Sequence, residues 1–296
     1  MSITKRAAGK INLLLDLTGT FADGYHGIYT VMQSVGIYDT VTVETAPQGL
    51  SLTCDIEKSL QQVDGIFPAI PCDARNTAYQ AALRFGAYTG IEVRANIHIE
   101  KSIPGGAGMA GGSADAAAVL CALNELYRTG LSARQLCRIG AKVGADVPFC
   151  ILGGTQLCMN IGELMAPMPP LTGYDVVFVK PKCSVSTKAA YDAFDALQNV
   201  RHPAKEAAVN AYMRGDMEQF FSLAANVFEQ AVEVPGRAEI KAVMRACGCE
   251  FTQMTGSGSV VYGLFADPGK ARDCVKALTN SGRHVFCVPL TEKGIL

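Results

Sequence analysis

The feature that most restricts how this chain can fold is a glycine-rich stretch near the middle of the sequence. Residues 103–113 read Ile-Pro-Gly-Gly-Ala-Gly-Met-Ala-Gly-Gly-Ser. The preceding residues 91–100 alternate apolar and polar side chains, which is typical of a half-buried strand. The following residues 113–127 are rich in alanine and leucine, which favours a helix. The stretch is therefore predicted to join a strand to a helix.

A junction of this kind suits the binding of a polyphosphate. Glycines let the backbone approach an anion closely and point several N–H groups at it, and the start of the helix adds the positive end of its dipole. A turn without a ligand is the alternative, but five glycines in eight residues exceed what a turn needs. The predicted phosphate-binding residues are Pro104, Gly105, Gly106, Ala107, Gly108, Met109, Ala110, Gly111, Gly112 and Ser113. At the predicted helix start, Ser113 is placed to cap the helix or to contact a phosphate or its magnesium ion.

Other nucleotide-binding motifs fit less well. Gly106, Gly108 and Gly111 match the G-x-G-x-x-G pattern of dinucleotide-binding proteins, but that fold needs a strand after the helix, ending in an acidic residue about 20 positions on. Here a second helix is predicted instead, starting at Ser132 in the capping position. The sequence contains neither G-x-x-x-x-G-K-[ST] nor the H-R-D and D-F-G motifs of protein kinases. The hypothesis of an NAD-dependent oxidoreductase is therefore less favoured.

Composition excludes several classes of partner. With 26 basic and 27 acidic residues the net charge is −1, so no global field attracts nucleic acid or an anionic membrane. No apolar run approaches the roughly 18 residues of a membrane helix, and residues 11–17 are too short and too polar for a secretory signal. The 11 cysteines show no spacing of a zinc site. We therefore predict no metal site held by the protein. We interpret the cysteines as reduced thiols, which indicates a cytoplasmic protein.

The order of predicted elements indicates two domains. Residues 165–173 contain three prolines and are predicted to separate residues 1–165 from residues 166–296. Strands are predicted at 10–17, 31–43 with a bulge at Gly36, 91–100, 175–180, 260–265 and 284–288. Helices are predicted at 76–86, 113–127, 187–197, 204–213, 217–225, 239–247 and 268–279, with Asn76 as a cap, whereas 49–73 and 144–154 are predicted to be irregular. Mixed strands and helices in this order indicate an α/β or α+β fold.

Five further motifs give the chain a more specific resemblance. They are Ala8-Gly-Lys-Ile-Asn-Leu13, Asp23-Gly-Tyr-His26, Ile37-Tyr-Asp39, Gly144-Ala-Asp-Val-Pro-Phe149 and Thr255-Gly-Ser-Gly258. Together with the glycine stretch, in this order from about Lys10 to Phe265, they resemble the motifs of the GHMP kinases. Within that superfamily they are most similar to a branch whose substrate is a cytidine diphosphate sugar alcohol.

The resemblance implies an α+β fold with an N-terminal nucleotide-binding domain, a smaller ferredoxin-like C-terminal domain and an active site in the cleft between them. It implies ATP-dependent phosphorylation of a hydroxyl group, with ATP on the glycine stretch and Mg²⁺ as cofactor. Lys10 and Asp146 match the catalytic positions of the family. Substrate contacts are implied for Asn12, Tyr25, His26, Thr187, Gly256 and Ser257. A monomer or homodimer is expected.

The residues themselves leave alternatives open. From the local sequence alone, Asp146 in its short loop is better explained as a helix or turn cap, and Lys10 as a surface charge at a strand end; only the resemblance favours catalytic roles for them. Asn12 shares a strand face with Lys10 by the two-residue period, so a site that contains one contains both. Tyr25 offers a flat ring for a pyrimidine, and His26 a ring nitrogen for its edge. Another GHMP kinase, acting on mevalonate or homoserine, and a non-catalytic nucleotide-binding protein of the same fold are the alternative functions.

Overall fold

The computed structural model of the chain describes residues 1–22, 24–57, 60, 69–279 and 283–296. Asp23 of the Asp23-Gly-Tyr-His26 motif lies outside the described residues, as does part of the segment 49–73. The strands are Ser2–Thr20 (β1), His26–Thr45 (β2), Leu50–Ile56 (β3), Ala95–Lys101 (β4), Thr155–Asn160 (β5), Leu164–Pro167 (β6), Asp175–Lys180 (β7), Phe251–Met254 (β8), Val261–Phe265 (β9) and His284–Pro289 (β10). The helices are Thr77–Thr89 (α1), Gly111–Leu126 (α2), Ala133–Gly140 (α3), Val147–Leu152 (α4), Thr187–Asp195 (α5), Lys205–Met213 (α6), Met217–Leu223 (α7), Arg237–Ala246 (α8) and Pro268–Thr279 (α9), with a 3₁₀ turn at Val227–Gln230.

The first sheet is built on the long antiparallel pair of β1 and β2. The other edge of β2 pairs with β4 near its end and with β5 near its start, which gives the order β3-β4-β2-β5-β6 with β1 beside β2. Ala8 pairs with Tyr38 but Gly9 pairs with Val35, so two residues of β2 are unmatched and Gly36 lies in the predicted bulge. A second irregularity lies between Asn12 and Leu14 of β1.

Helix α2 is the central helix of this half. It packs against β1, β2, α1 and α4, and its consecutive residues Ala116, Ala117 and Ala118 are fully buried. Small side chains let the helix axis approach the sheet closely, which brings the start of α2 to the ends of the strands. Asn76 caps α1 and Ser132 forms a capping box with Gln135 at the start of α3, so both predicted caps are confirmed.

The second sheet is antiparallel with the order β10-β7-β9-β8. The chain runs β7, helices, β8, β9, α9, β10, which is the ferredoxin-like arrangement. One face packs on α8 and α9 through Val177, Val179 and Ile240. The opposite face, with Phe178 and Tyr262, joins the same core as β1, so the two sheets share a hydrophobic interior. The division into residues 1–165 and 166–296 stays a prediction; its boundary falls within β6.

Several local predictions were wrong. Residues 91–94 precede β4 rather than forming part of it, while β3 lies in a segment predicted to be irregular. Parallel pairing with β4 stabilises β3, whose side chains differ in exposure along the strand. The segment lacks a long apolar run, so its sequence did not indicate a strand. The segment 144–154 was predicted to be a loop but contains the short helix α4. Pro148 lies in the first turn of this helix, where proline is favourable. Strands β5, β6 and β8 were also not predicted, and β1 begins at Ser2 rather than at residue 10.

Within the described ranges, no helix combines the length and apolar character that crossing a membrane requires.

Candidate functional site

A cleft of about 570 Å³ lies where the glycine stretch, the start of α2 and the loop before α4 meet residues of the second half of the chain. All ten predicted phosphate-binding residues, from Pro104 to Ser113, line it. So do six of the eight other predicted site residues: Lys10, Asn12, Asp146, Thr187, Gly256 and Ser257. Residues more than 240 positions apart in the sequence are thus brought to one cavity.

Lys10, Asn12 and Asp146 form a group at the wall of this cleft. The Lys10 ammonium donates a hydrogen bond to Asn12 Oδ1 at 2.6 Å and lies 3.8 Å from Asp146 Oδ2. Only 5% of the Lys10 side chain is exposed, so it is not a surface charge at a strand end. As the two-residue period predicts, Lys10 and Asn12 project from the same face of β1.

Asp146 lies at the residue that precedes α4, yet its side chain accepts no capping hydrogen bond from that helix. The interpretation of Asp146 as a helix cap is therefore wrong. Its carboxylate is 30% exposed and faces the cleft beside Lys10. A group in this position can accept a proton from a bound hydroxyl.

The glycine stretch ends in a backbone turn that opens the helix start to the cleft. Ala110 has φ of 60°, in the left-handed region, and α2 begins at Gly111 rather than at the predicted Ser113. Ser113 is therefore inside the first turn and does not cap the helix. Among the described residues no side chain caps α2, so N–H groups of its first turn are left for an anion.

The first two residues of this helix are glycines, and the surrounding structure leaves little room for a side chain at either position. A β-carbon at Gly111 would lie 3.3 Å from Lys101 Nζ, and one at Gly112 would lie 3.1 Å from Thr77 Oγ1. The Thr77 hydroxyl also donates to the Gly112 carbonyl at 2.7 Å. Close packing on β4 and α1 thus fixes the start of α2.

A second loop, Thr255–Ser259 between β8 and β9, braces the glycine stretch. The Thr255 hydroxyl is within hydrogen-bond distance of the Gly108 carbonyl, at 3.2 Å, and of the Asn12 N–H, also at 3.2 Å. One side chain of the second half therefore contacts both the phosphate-binding loop and the strand that carries Lys10.

A buried group of charges supports the loop from below. Lys101 contacts Asp39 and donates to Asp115 Oδ2 at 2.6 Å, while Asp39 Oδ1 accepts the N–H groups of Ser102 at 2.6 Å and Ile103 at 2.8 Å. Asp39 thereby fixes the turn from β4 into the glycine stretch. All three charged side chains are at most 6% exposed.

The three ionisable side chains shift the pKa values of one another. Burial raises the pKa of the Asp115 carboxyl, against the opposing effect of Lys101. Burial alone would lower the pKa of Lys101, but Asp115 and Asp39 together raise it. Asp115 Oδ1 has no hydrogen-bond partner in the described part of the chain.

Sequence reasoning did not assign a role to Lys101, Asp39 or Asp115. Asp39 was noted only as part of a motif. The signal for Asp115 was present: it is an acidic residue flanked by Ala114 and Ala116 in a helix of mostly small and apolar residues. Because a single sequence shows no pairing partner for such a residue, its role became visible only in the fold.

Tyr25 and His26 do not line the cleft itself, but His26 lies at its edge. The His26 ring is 4.7 Å from the ring of Tyr191, which does line the cleft, and His26 Nε2 is 2.7 Å from Asp195 Oδ1. Tyr25 is 63% exposed. Burial raises the pKa of Tyr191 to about 12, with a smaller contribution from the charge of Asp146, so its hydroxyl keeps its proton at neutral pH.

Oxygen donors for a magnesium ion are present but sparse. Among the described residues, no group of three or more His, Cys, Asp or Glu side chains could hold a metal ion. Mg²⁺ in phosphoryl-transfer sites is usually bound by one or two protein oxygens together with substrate phosphates. The Ser113 hydroxyl at the cleft wall fits that mode.

Comparison with known sequences identifies both halves of the chain. A sequence model described as GHMP kinases N terminal domain matches residues 76–154, and one described as GHMP kinases C terminal matches residues 204–284. A 4-diphosphocytidyl-2-C-methyl-D-erythritol kinase of Clostridium botulinum strain Alaska E43 is 38% identical over 285 residues, covering 95% of this chain and 97% of that protein. The chain belongs to the 4-diphosphocytidyl-2-C-methyl-D-erythritol kinase family of GHMP kinases.

Further comparisons agree with this family. The relative from Caldicellulosiruptor bescii, of the same name, is 38% identical over 92% of this chain and 93% of its own length. A crystal structure of a 4-(cytidine 5'-diphospho)-2C-methyl-D-erythritol kinase superposes with a TM-score of 0.75 at 31% identity, covering 97% of this chain and 99% of that one. As a GHMP kinase, the chain is an ATP-dependent small-molecule kinase.

The same fold extends to kinases with other names. A homoserine kinase from Cytophaga hutchinsonii superposes with a TM-score of 0.78, covers 100% of this chain and 96% of that one, and is 19% identical. At this identity the likeness shows the GHMP kinase fold alone. The predicted α+β fold with a ferredoxin-like second domain is thus confirmed.

Proposed function

We propose that the chain transfers the γ-phosphoryl group of ATP to the 2-hydroxyl of 4-diphosphocytidyl-2-C-methyl-D-erythritol, a step of the non-mevalonate pathway to isoprenoid precursors. The observation that carries the proposal is the placement of Lys10, Asn12 and Asp146 on one cleft with the glycine stretch. Relatives of that name at 38% identity over nearly the whole chain support the choice of substrate.

In this proposal ATP binds through its phosphates to Pro104–Ser113. Backbone N–H groups of the glycine stretch and of the first turn of α2 donate to the phosphate oxygens. Mg²⁺, when bound, neutralises phosphate charge, and the Ser113 hydroxyl is the protein oxygen that would contact it. Because the loop is fixed by Asp39 and Thr255, the donors are oriented before the nucleotide arrives.

Lys10 and Asp146 act on the acceptor hydroxyl. The hydroxyl oxygen forms the new bond to the γ-phosphorus, the bond from that phosphorus to the bridging oxygen of ADP breaks, and the hydroxyl proton passes to the Asp146 carboxylate. The Lys10 ammonium stabilises the charged carboxylate and contacts the acceptor. Asn12 orients Lys10 through their 2.6 Å hydrogen bond.

The cytidine end of the substrate is assigned to the edge of the cleft. Tyr25, His26 and Tyr191 offer ring surfaces for the cytosine, and base stacking on aromatic side chains contributes about 1–3 kcal/mol per base in nucleic-acid complexes. Thr187, Gly256 and Ser257 also line the cleft, and are assigned to the diphosphate and sugar alcohol.

The remaining predictions concern the state of the protein in the cell. We propose a cytoplasmic location, because all 11 cysteines are unpaired and free thiols persist in reducing compartments. A monomer or homodimer stays our expectation.

The test is an assay of ADP release with 4-diphosphocytidyl-2-C-methyl-D-erythritol, run beside mevalonate and homoserine. Wild type should turn over the cytidylyl substrate alone, and Asp146→Ala should lose that activity. Turnover of mevalonate or homoserine instead would overturn the substrate and leave a GHMP kinase of another specificity. Full activity of Asp146→Ala would overturn the proposed proton acceptor but leave the substrate.

A further inference from the structure

The strand that carries Lys10 is held by the second half of the chain at one carbonyl group. Asn12 pairs with Met32 but Leu14 pairs with Val31, so Leu13 is an extra residue and β1 bulges at this point. At the bulge the carbonyl oxygen of Asn12 accepts a hydrogen bond from the Tyr262 hydroxyl at 2.9 Å and another from the Gln253 side-chain amide at 3.1 Å.

Both donors come from neighbouring strands of the second sheet, about 240 residues later in the chain. Tyr262 on β9 is fully buried, and Gln253 on β8 is 3% exposed. The Gln253 amide also lies 3.4 Å from the Leu13 carbonyl. Since a buried hydroxyl has one proton to donate, the Tyr262 hydroxyl is committed to Asn12.

The other polar groups of Asn12 are also engaged. Its N–H donates to the Thr255 hydroxyl at 3.2 Å, its side-chain amide donates to Thr30 Oγ1 at 2.8 Å, and its Oδ1 accepts from Lys10. The backbone of Asn12 is therefore fixed on both sides by the second half of the chain, and its side chain fixes the Lys10 ammonium. A shift of the bulge moves Lys10 relative to Asp146.

We propose that Tyr262 is a positioning residue for phosphoryl transfer, acting with Gln253 through the Asn12 carbonyl to hold the Lys10 ammonium beside Asp146. The proposal rests on the roles proposed above for Lys10 and Asp146. The Lys10–Asp146 separation of 3.8 Å leaves little tolerance, and a misplacement of about 1 Å in such a group costs on the order of 10²-fold in rate. Neither Tyr262 nor Gln253 lines the cleft, so neither is expected to contact ATP or the acceptor directly.

The first test is Tyr262→Phe, which removes the hydroxyl and keeps the buried ring. We expect kcat to fall about 10- to 100-fold while KM for ATP and for the cytidylyl substrate stays within about threefold, because binding is intact and alignment is not. Tyr212→Phe is the matched control: Tyr212 is also buried, and its hydroxyl donates to the Pro169 carbonyl at 2.8 Å, away from the cleft. That control should keep wild-type kcat.

The second test asks whether Tyr262 acts through Lys10. If it does, Tyr262→Phe should lower kcat in the wild-type background but leave the residual kcat of Lys10→Met unchanged, a non-additive result. Equal losses in both backgrounds, or a wild-type kcat for Tyr262→Phe, would overturn the positioning role. Full activity of Lys10→Met and Asp146→Ala would instead show that the proposed function of those residues had failed, so the two failures are distinguishable.

Discussion

The backbone of Gly108 rests directly on the backbone of Thr255. A β-carbon at Gly108 would lie 2.1 Å from the Thr255 carbonyl oxygen, and Gly108 has φ of 74°. A residue of the phosphate-binding loop is thus pressed against a loop of the second half, with no room for a side chain. The phosphate-binding loop and the second half of the chain are therefore in direct backbone contact at this point.

Gly108→Ala should lose ATP binding and stability together. The side chain would meet backbone that cannot rotate away, and a non-glycine residue in the left-handed region costs about 1–2 kcal/mol by itself. Gly130→Ala is the control that introduces the backbone strain without the steric clash, since Gly130 has φ of 66° but nothing within 4 Å of its β-carbon position. Thermal unfolding and ATP titration should show a modest loss for Gly130→Ala and a much larger one for Gly108→Ala; equal losses would contradict the contact.

Lys10→Met should abolish most of the activity without unfolding the protein. Methionine fills the buried stem of Lys10 but has no ammonium group, so Asp146 and the acceptor lose their nearby cation. We expect kcat to fall about 10²- to 10⁴-fold, the range for a positioned proton-transfer group. Steady-state kinetics and a melting curve measure the two effects, and Lys188→Met, at an exposed i,i+4 ion pair with Asp192, is the control that should leave kcat unchanged.

Asp39→Ala should destabilise the fold by about 3–5 kcal/mol, because it leaves Lys101 with one buried partner fewer and removes the acceptor of two N–H groups. The double variant with Lys101→Met should lose less than the sum of the two single variants, because the contact between Lys101 and Asp39 is already absent once either partner is removed. Chemical denaturation of wild type, both single variants and the double variant measures the coupling. Strict additivity of the two changes would show that the pair does not interact.

Asp115→Asn should change how stability depends on pH. The pKa of Asp115 is higher in the folded protein than in the unfolded chain, where it is about 3.9. The folded state therefore holds this proton more tightly, and its stability falls as the pH rises above about 4. Melting temperatures at about pH 5 and about pH 8 should show wild type losing stability relative to Asp115→Asn.

A matched substitution checks that this trend belongs to the buried site. Asp192→Asn changes the same kind of group at an exposed position, where the side chain is 61% exposed. It should leave the difference between the two pH values as in wild type. A parallel response of Asp115→Asn and Asp192→Asn would contradict the effect of burial.

Tyr191→Leu should weaken binding of the cytidylyl substrate and not of ATP. The substitution keeps an apolar side chain at the cleft but removes the ring that lies against His26 at 4.7 Å. We expect KM for the cytidylyl substrate to rise about 10-fold, in line with a loss of about 1–3 kcal/mol from stacking, with KM for ATP unchanged. A rise in KM for ATP alone would contradict the assignment of the cytosine to the edge of the cleft beside Tyr191.

The sequence predicted the local elements whose signals are themselves local. Asn76 and Ser132 were recognised as caps because capping depends on a side chain and the N–H groups two or three residues later. The glycine stretch was recognised because close approach of the backbone to an anion needs consecutive residues without side chains. Most helices and strands around these signals were predicted to within a few residues.

Predictions failed where a partner distant in the sequence decided the outcome. The start of α2 was predicted at Ser113, where the run rich in alanine and leucine begins, yet packing against Lys101 and Thr77 makes Gly111 and Gly112 the residues that fit. For Asp146 the local pattern favoured a cap and only the resemblance to the GHMP kinases indicated the site, whereas in the structure its carboxylate lies 3.8 Å from the Lys10 ammonium. In each case the competing effect was tertiary contact, which a local pattern does not report.

The sequence by itself therefore determined three local features: a phosphate-binding loop, a strand with Lys10 and Asn12 on one face, and the motifs of the GHMP kinases. The tertiary structure alone decided how those parts are held. Asp39, Lys101 and Asp115 meet only because β2, β4 and α2 pack together, and Tyr262 reaches Asn12 only because the second sheet packs on β1. Periodicity and composition fix which faces are buried, but the register between distant faces depends on the packing of the whole chain.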